Sequence, residues 1–217
     1  PSAFTYYEEP LVIEEGKGAT VRDADGREYL DFFGGILTVG LGHCHPEITK
    51  RTREQAEKVQ HTSSLYLTGP SVALAEKLAT ITPGKLQKSF FTNSGSEANE
   101  TAVLTARSYT GNHEVVALRS GYSGRTGMAM SLTGQAPWRS SAAGTMGGVV
   151  HAPNPYCYRC PYEQTYPSCD LLCARDVEQV IQTATSGSIA AFIAEPIQGV
   201  GGFIVPPKEY FQIVTDI

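Results

Sequence analysis

The chain has 217 residues, 41% of them hydrophobic, with 17 Lys and Arg against 22 Asp and Glu and a formal net charge of −5. That length suffices for one good-sized core or for one large and one small lobe, and the acidic balance leaves no basic surplus for nucleic acid or a polybasic membrane contact. Apolar runs fall far below membrane-spanning length and no basic-then-apolar leader opens the chain, so the sequence reads as a cytoplasmic globular protein, whose start at Pro1 points to trimming or partial coverage.

Leu11 to Phe33 reads as a small antiparallel meander. Leu11–Ile13 and Ala19–Val21 are strand-like, Asp23–Gly26 supplies turn chemistry, and Glu28–Phe33 follows as another strand. Gly34-Gly35 breaks the pattern, and Gly40–Pro46 forms a glycine-rich loop that holds His43, Cys44 and His45. Neighbouring positions converge poorly on one ion and no fourth ligand is indicated, so no metal is expected there. Pro46 opens a helix with Ile48, Thr52, Gln55, Ala56 and Val59 on its inner side. A second helix from Pro70-Ser71 carries Val72, Ala75, Leu78 and Ile81 inward and ends before Pro83-Gly84.

From there strands and helices alternate. The pattern predicts a strand over 88–93, a helix over 96–109, a strand over 114–119, a short helix over 125–132 and a strand over 147–151. A Cys-rich loop, a helix over 174–185, a strand over 189–194 and a last helix from Pro206-Pro207 complete it. Strands that are apolar on both faces, each followed by a helix, indicate an α/β fold with a mostly parallel sheet covered by helices on both sides. Ligands of such sheets sit at the carboxyl ends of the strands, where the pattern puts Ser94-Gly95-Ser96, Tyr122-Ser123 and Glu195.

Gly95 permits a tight turn or a close approach, and the amides after it are the free donors of a helix N-terminus, so this turn either cradles a phosphate or simply caps a helix. The helix places Ala98, Ala102 and Ala106 on one face, suited to close packing on a sheet, and stops near Gly111. The Tyr122 ring could stack on a flat heteroaromatic or lie over a loop, and Glu195 sets a carboxylate at a rim or at a solvated strand end. Their placement at equivalent strand ends favours one shared site.

Cys157, Cys160, Cys169 and Cys173 form C-x2-C, eight residues, then C-x3-C. Such pairs either wrap a structural zinc or lie as free thiols in a packed loop insertion. Four thiolates would leave no open position, which excludes a catalytic metal.

In Gly26–Phe32, Gly40–Pro46, Phe90–Ala102, Gly121–Gly124 and Ala194–Gly199 the chain resembles, in order and spacing over nearly its whole length, the N-terminal half of class III (subgroup II) aminotransferases. These are fold-type I enzymes dependent on pyridoxal 5'-phosphate. The resemblance implies part of a small N-terminal α+β lobe over residues 1–57 and the N-terminal part of the large cofactor-binding domain over 58–217. It implies that Ser94, Gly95 and Ser96 hold the cofactor phosphate, that Tyr122 stacks on the ring with Ser123 beside it, and that Glu195 joins the polar network around the ring. A homodimer with shared active sites follows from it as well.

Three departures qualify the match. Ser123 stands where the family usually has His. Val200 replaces a Glu typical of GABA- and ornithine-type members, which turns the reading towards the alanine:glyoxylate-like or ω-amino acid:pyruvate branch. The Schiff-base Lys and the Asp that pairs with the pyridine nitrogen belong beyond Ile217, and none of Lys17, Lys50, Lys58, Lys77, Lys85, Lys88 and Lys208 has the catalytic context. The implied activity of the complete protein is transfer of an amino group from an amino acid or amine to a 2-oxo acid such as pyruvate or glyoxylate. This chain alone is expected to be inactive, a second chain being one way to supply the C-terminal half. The alternatives are a pyridoxal-dependent lyase or aminomutase of the same fold and a non-catalytic, truncated dimerisation partner.

Overall fold

The computed structural model describes residues 7–139 and 145–217, and its contacts group the chain into two compact units, Pro1–Ser89 and Phe90–Ile217. The division falls later than residue 57/58, the lobe boundary expected for the complete protein.

In the first unit, β1 (Ile13–Lys17), β2 (Thr20–Asp23) and β3 (Glu28–Leu30) form the antiparallel meander in the order β1-β2-β3. The β2–β3 turn is built by Asp23, whose carboxylate accepts from the N–H groups of Asp25 (3.0 Å) and Arg27 (2.9 Å) and from the Tyr29 hydroxyl (2.7 Å). β3 stops three residues earlier than Phe33 because Asp31 turns the chain, accepting from the N–H groups of Phe33 and Gly34. A single turn, α1 (Gly34–Leu37), follows with positive φ at Gly34, Gly35 and Ile36. The glycine-rich loop then folds back on the meander: His43 pairs with the backbone of Gly18, and its Nε2 lies 2.6 Å from Asp31.

Helices α2 (Pro46–Lys58) and α3 (Gly69–Ile81) form where expected, but neither buries a residue. Ile48, Val72 and Ile81 are 51%, 49% and 62% exposed. An apolar stripe is buried only where another element lies against it, and among the described residues of this unit these positions stay largely exposed.

The second unit is a three-stranded parallel sheet, β5 (Val149–Ala152), β4 (Glu114–Leu118), β6 (Ile189–Ile193), with β4 in the centre. From Val115 to Leu118 β4 is apolar without interruption, and both of its faces are covered. Val115 and Ala117 pack with Val103 of α4 (Gly95–Thr110) and with Met128 and Leu132 of α5 (Gly127–Leu132). Val116 and Leu118 pack on the other side with Ala174 and Val177 of α6 (Leu172–Ala184) and Tyr210 of α7 (Tyr210–Asp216).

The expected strand over 88–93 is absent. Residues 88–92 have no regular structure, and Phe90 and Phe91 are 79% and 48% exposed. A strand needs a neighbour to satisfy its backbone, and this segment pairs with none among the described residues. The inward face of α4 also differs from expectation. Ala98 and Ala102 are exposed, while Val103, and Ala106 beside it, meet the sheet. Small residues carry too little apolar signal to orient a helix when a Val sits on the competing face.

Candidate functional site

The site begins at the N-terminus of α4. The Ser94 hydroxyl accepts from the N–H of Glu97 (3.2 Å), and the Glu97 carboxylate accepts from the N–H of Asn93 (2.7 Å), a variant of the capping box that reaches one residue further back. The first-turn amides of Gly95 and Ser96 have no partner within the helix. A Cβ built on Gly95 would meet nothing within 4 Å, so the space beside this residue is open. The Ser96 hydroxyl accepts from the N–H of Arg125 (3.2 Å), which ties the helix start to the loop after β4. Gly124 lies against that hydroxyl at φ +121°, where a Cβ would stand 2.1 Å from Ser96 Oγ. Only glycine fits there.

That loop carries Tyr122 and Ser123. The N–H of Tyr122 donates to Glu195 Oε1 (2.8 Å), and Glu195 Oε2 accepts from the N–H of Gly199 (2.9 Å), so one carboxylate joins the loops after β4 and β6. The Ser123 N–H donates to Thr133 Oγ1 (3.0 Å), and its carbonyl accepts from Asn99 Nδ2 (2.8 Å). Tyr122 is further held edge-on to Trp138, with ring centroids 5.6 Å apart. Gly121 permits the turn to close: a Cβ there would meet the Leu118 carbonyl at 3.1 Å.

Tyr122, Ser123, Glu195 and Asn99 line one cavity of about 70 Å³ with Ala117, Leu118, Leu132, Ile193 and Ala194. The structure therefore brings Tyr122, Ser123 and Glu195 to one pocket. Ser96 is joined to the same loop through Arg125, while Ser94 and Gly95 lie at the exposed start of α4. No lysine borders the cavity. Sequence reasoning missed Asn99 and Thr133. Asn99 had a signal, since it lies three residues after Ser96 and hence on the same helix face; Thr133 reaches Ser123 through a tertiary contact with no local signature.

The four cysteines of the loop insertion do gather. Cys157, Cys160, Cys169 and Cys173 border one small apolar cavity of about 20 Å³ together with Tyr162 and Tyr166. All are free thiols. Burial, with the neighbouring thiols adding to it, pushes Cys173 up to about 11, and Cys157 is raised for the same reasons. Among the described residues no group of three or more His, Cys, Asp or Glu side chains is arranged to hold a metal ion. In the first unit the Asp31 carboxyl is held below its usual range, chiefly by its bond to His43.

The pocket thus combines apolar walls with Asn99, Ser123 and Glu195, and its loop is joined through Ser96 to the start of α4. The profile of the family "Aminotransferase class-III" matches residues 3–217. Alanine--glyoxylate aminotransferase 2 homolog 2 (mitochondrial) of Arabidopsis thaliana is 41% identical over 216 residues, 100% of this chain and 44% of that protein. The leucine/methionine racemase of Thermococcus litoralis is 36% identical over 96% of this chain and 47% of its own length. Among solved structures, an (S)-enantioselective omega-transaminase from Thermomicrobium roseum superposes with a TM-score of 0.88 at 35% identity, covering 96% of this chain and 48% of that one. The chain thus spans about half the length of the proteins it matches. The family and its transaminase structures depend on pyridoxal 5'-phosphate and have the fold-type I architecture. The chain belongs to the class III aminotransferases.

Proposed function

We propose that the complete protein carrying this sequence transfers an amino group from an amino acid or amine to a 2-oxo acid of the pyruvate or glyoxylate type, using pyridoxal 5'-phosphate. The single observation that carries this reading is the convergence of Tyr122, Ser123, Asn99 and Glu195 on one pocket whose loop is tied to the start of α4 by Ser96. When bound, the cofactor supplies an aldehyde carbon that accepts amino groups and a ring that withdraws electrons from the substrate carbon.

The chain's own residues do the holding. The amides of Gly95 and Ser96, with the Ser96 and Ser94 hydroxyls, hold the phosphate at the positive end of α4. Tyr122 covers the ring, braced by Trp138. Ser123 and Asn99 supply the polar rim, and Glu195 fixes the Tyr122 backbone so that the ring cannot swing out. The Lys that carries the cofactor and the Asp that faces its ring nitrogen come from sequence beyond Ile217 or from a second chain. The 57/58 lobe boundary, the homodimer with shared sites and a cytoplasmic location belong to the same reading. No helix among the described residues is long and apolar enough to cross a membrane, while the Arabidopsis relative is mitochondrial by name.

The test is the complete gene product, assayed with an amino donor, with and without an added 2-oxo acid. Amino transfer that requires the oxo acid is the expected result. Isomerisation or elimination without an acceptor would support an aminomutase or lyase of the same fold instead, and racemisation the chemistry named for the Thermococcus relative. A protein that neither binds pyridoxal 5'-phosphate nor turns over would end the reading.

A further inference from the structure

Three loops leave the carboxyl ends of the three parallel strands, and one pair of buried amide side chains stitches all three together. Asn154 follows β5 and is 8% exposed; Gln198 follows β6 and is 2% exposed. Asn154 Nδ2 donates to Gln198 Oε1 (3.1 Å), and Gln198 Nε2 donates to the carbonyl of Arg119, the residue directly after β4 (2.8 Å). The Gln198 backbone is itself held in both directions: its N–H donates to the Ile204 carbonyl and its carbonyl accepts from the Ile204 N–H, each at 3.0 Å. This closes the turn whose first residue, Gly199, donates to Glu195 Oε2, while Glu195 Oε1 accepts from Tyr122. The turn is pressed close to the β4 loop, since a Cβ on Gly201 would lie 2.6 Å from the Ser120 carbonyl.

We infer that Asn154 and Gln198 are positioning residues of the candidate site, a relay that sets the distance between the loop bearing Tyr122 and the loop bearing Glu195. Neither side chain lines the cavity; both act through Arg119, Gly199 and Glu195. A pair of amides suits the task because each side chain both donates and accepts, so the bonds have direction and a register slip between β5, β4 and β6 would leave buried polar atoms unpaired. The inference rests on the cofactor reading above. It assigns the specificity of the Tyr122–Glu195 geometry to residues that touch neither ring nor phosphate.

The test uses the complete protein with Gln198→Leu and Asn154→Ala, and with Val177→Ala as a control that weakens the α6 core away from the site. Three quantities are read: the thermal midpoint without cofactor, the affinity for added pyridoxal 5'-phosphate, and the visible circular dichroism per bound cofactor, which reports the asymmetry around the ring. Gln198→Leu is expected to weaken cofactor affinity roughly tenfold or more and to change the dichroism per cofactor, Asn154→Ala to do so less, and Val177→Ala to lower the midpoint alone. Should Gln198→Leu fail to fold, the same comparison is made with Asn154→Ala, which leaves the bond to Arg119 intact. Affinity and dichroism within twofold of the unmodified protein in a folded relay variant overturn the positioning role while leaving the cofactor reading in place. An unmodified protein that binds no cofactor removes both.

Discussion

The contact between Gly124 and Ser96 gives the sharpest test of how the helix start is joined to the Tyr122 loop. Gly124→Ala places a methyl 2.1 Å from Ser96 Oγ, 3.0 Å from Ser96 Cβ and 3.2 Å from Ala129 Cβ, and does so at φ +121°. An L residue held at such a φ costs about 1–3 kcal/mol. Overpacking adds about 1–3 kcal/mol more. Ser96→Ala alone forfeits only the bond to the Arg125 N–H, worth about 0.5–1.5 kcal/mol. In the double variant the clash with Oγ is gone, while the φ strain and the tight contacts with the Cβ atoms of residues 96 and 129 remain, so its loss should fall short of the summed single losses by about 1 kcal/mol or more. Urea denaturation of the complete protein, followed by far-UV circular dichroism, measures all four corners of this cycle. Additive losses, within about 0.5 kcal/mol, would mean that Gly124 and Ser96 are not in contact and that the helix start is not docked on this loop.

Four further outcomes follow from the same structure. His151 is kept neutral mainly by burial and lies 3.1 Å from the Leu132 carbonyl. Its folded pKa is below the ordinary value of about 6.5, so the unfolded chain binds the proton first. Stability should be flat above that pH and fall as pH drops below it, by up to about 1.4 kcal/mol per pH unit, and His151→Gln should flatten the slope. Glu97→Ala removes one arm of the capping box at Asn93 and should cost about 1 kcal/mol by urea denaturation. Val116→Ala, at a fully buried position of the central strand, should cost about 2–3 kcal/mol in the same assay. With a pKa pushed up to about 11, Cys173 should resist a disulfide-exchange reagent at pH 8 in the native protein, while exposed Cys44 reacts at once.

The parts of this fold that could be read without coordinates are those with local physical signatures. Helix α4 lies within one residue of its expected bounds because Ser94 caps it and Gly111, at φ +73°, ends it. The central strand was legible from an unbroken apolar run, which only a sheet covered on both faces can bury. Failures came where structure depends on a partner. Ser89–Asn93 has the composition of a strand but pairs with no strand among the described residues, and α2 and α3 bury no residue there. Composition says that a segment can be buried; only tertiary structure says by what.

The same distinction separates the named site residues from those that hold them. Gly95, Ser96, Tyr122 and Glu195 announce themselves as a turn, a hydroxyl, an aromatic and an acid at strand ends. The holding roles of Thr133, Asn154 and Gln198 do not, because an amide or hydroxyl deep in a chain has no partner to reveal its role until one arrives from another loop. Gln198 bonds to Arg119 across 79 positions and Asn154 to Gln198 across 44. Such bonds form only once all three strands lie in register, so they report the tertiary arrangement and cannot be anticipated from any one segment. Loops carry the chemistry in a parallel α/β sheet, and loops have no register of their own. Residues that lend them one must therefore be buried, polar and distant in sequence, which is the description of Asn154 and Gln198; Gln198 stands inside the Ala194–Gly199 motif, but its bonds to Arg119 and Asn154 are visible only in the fold.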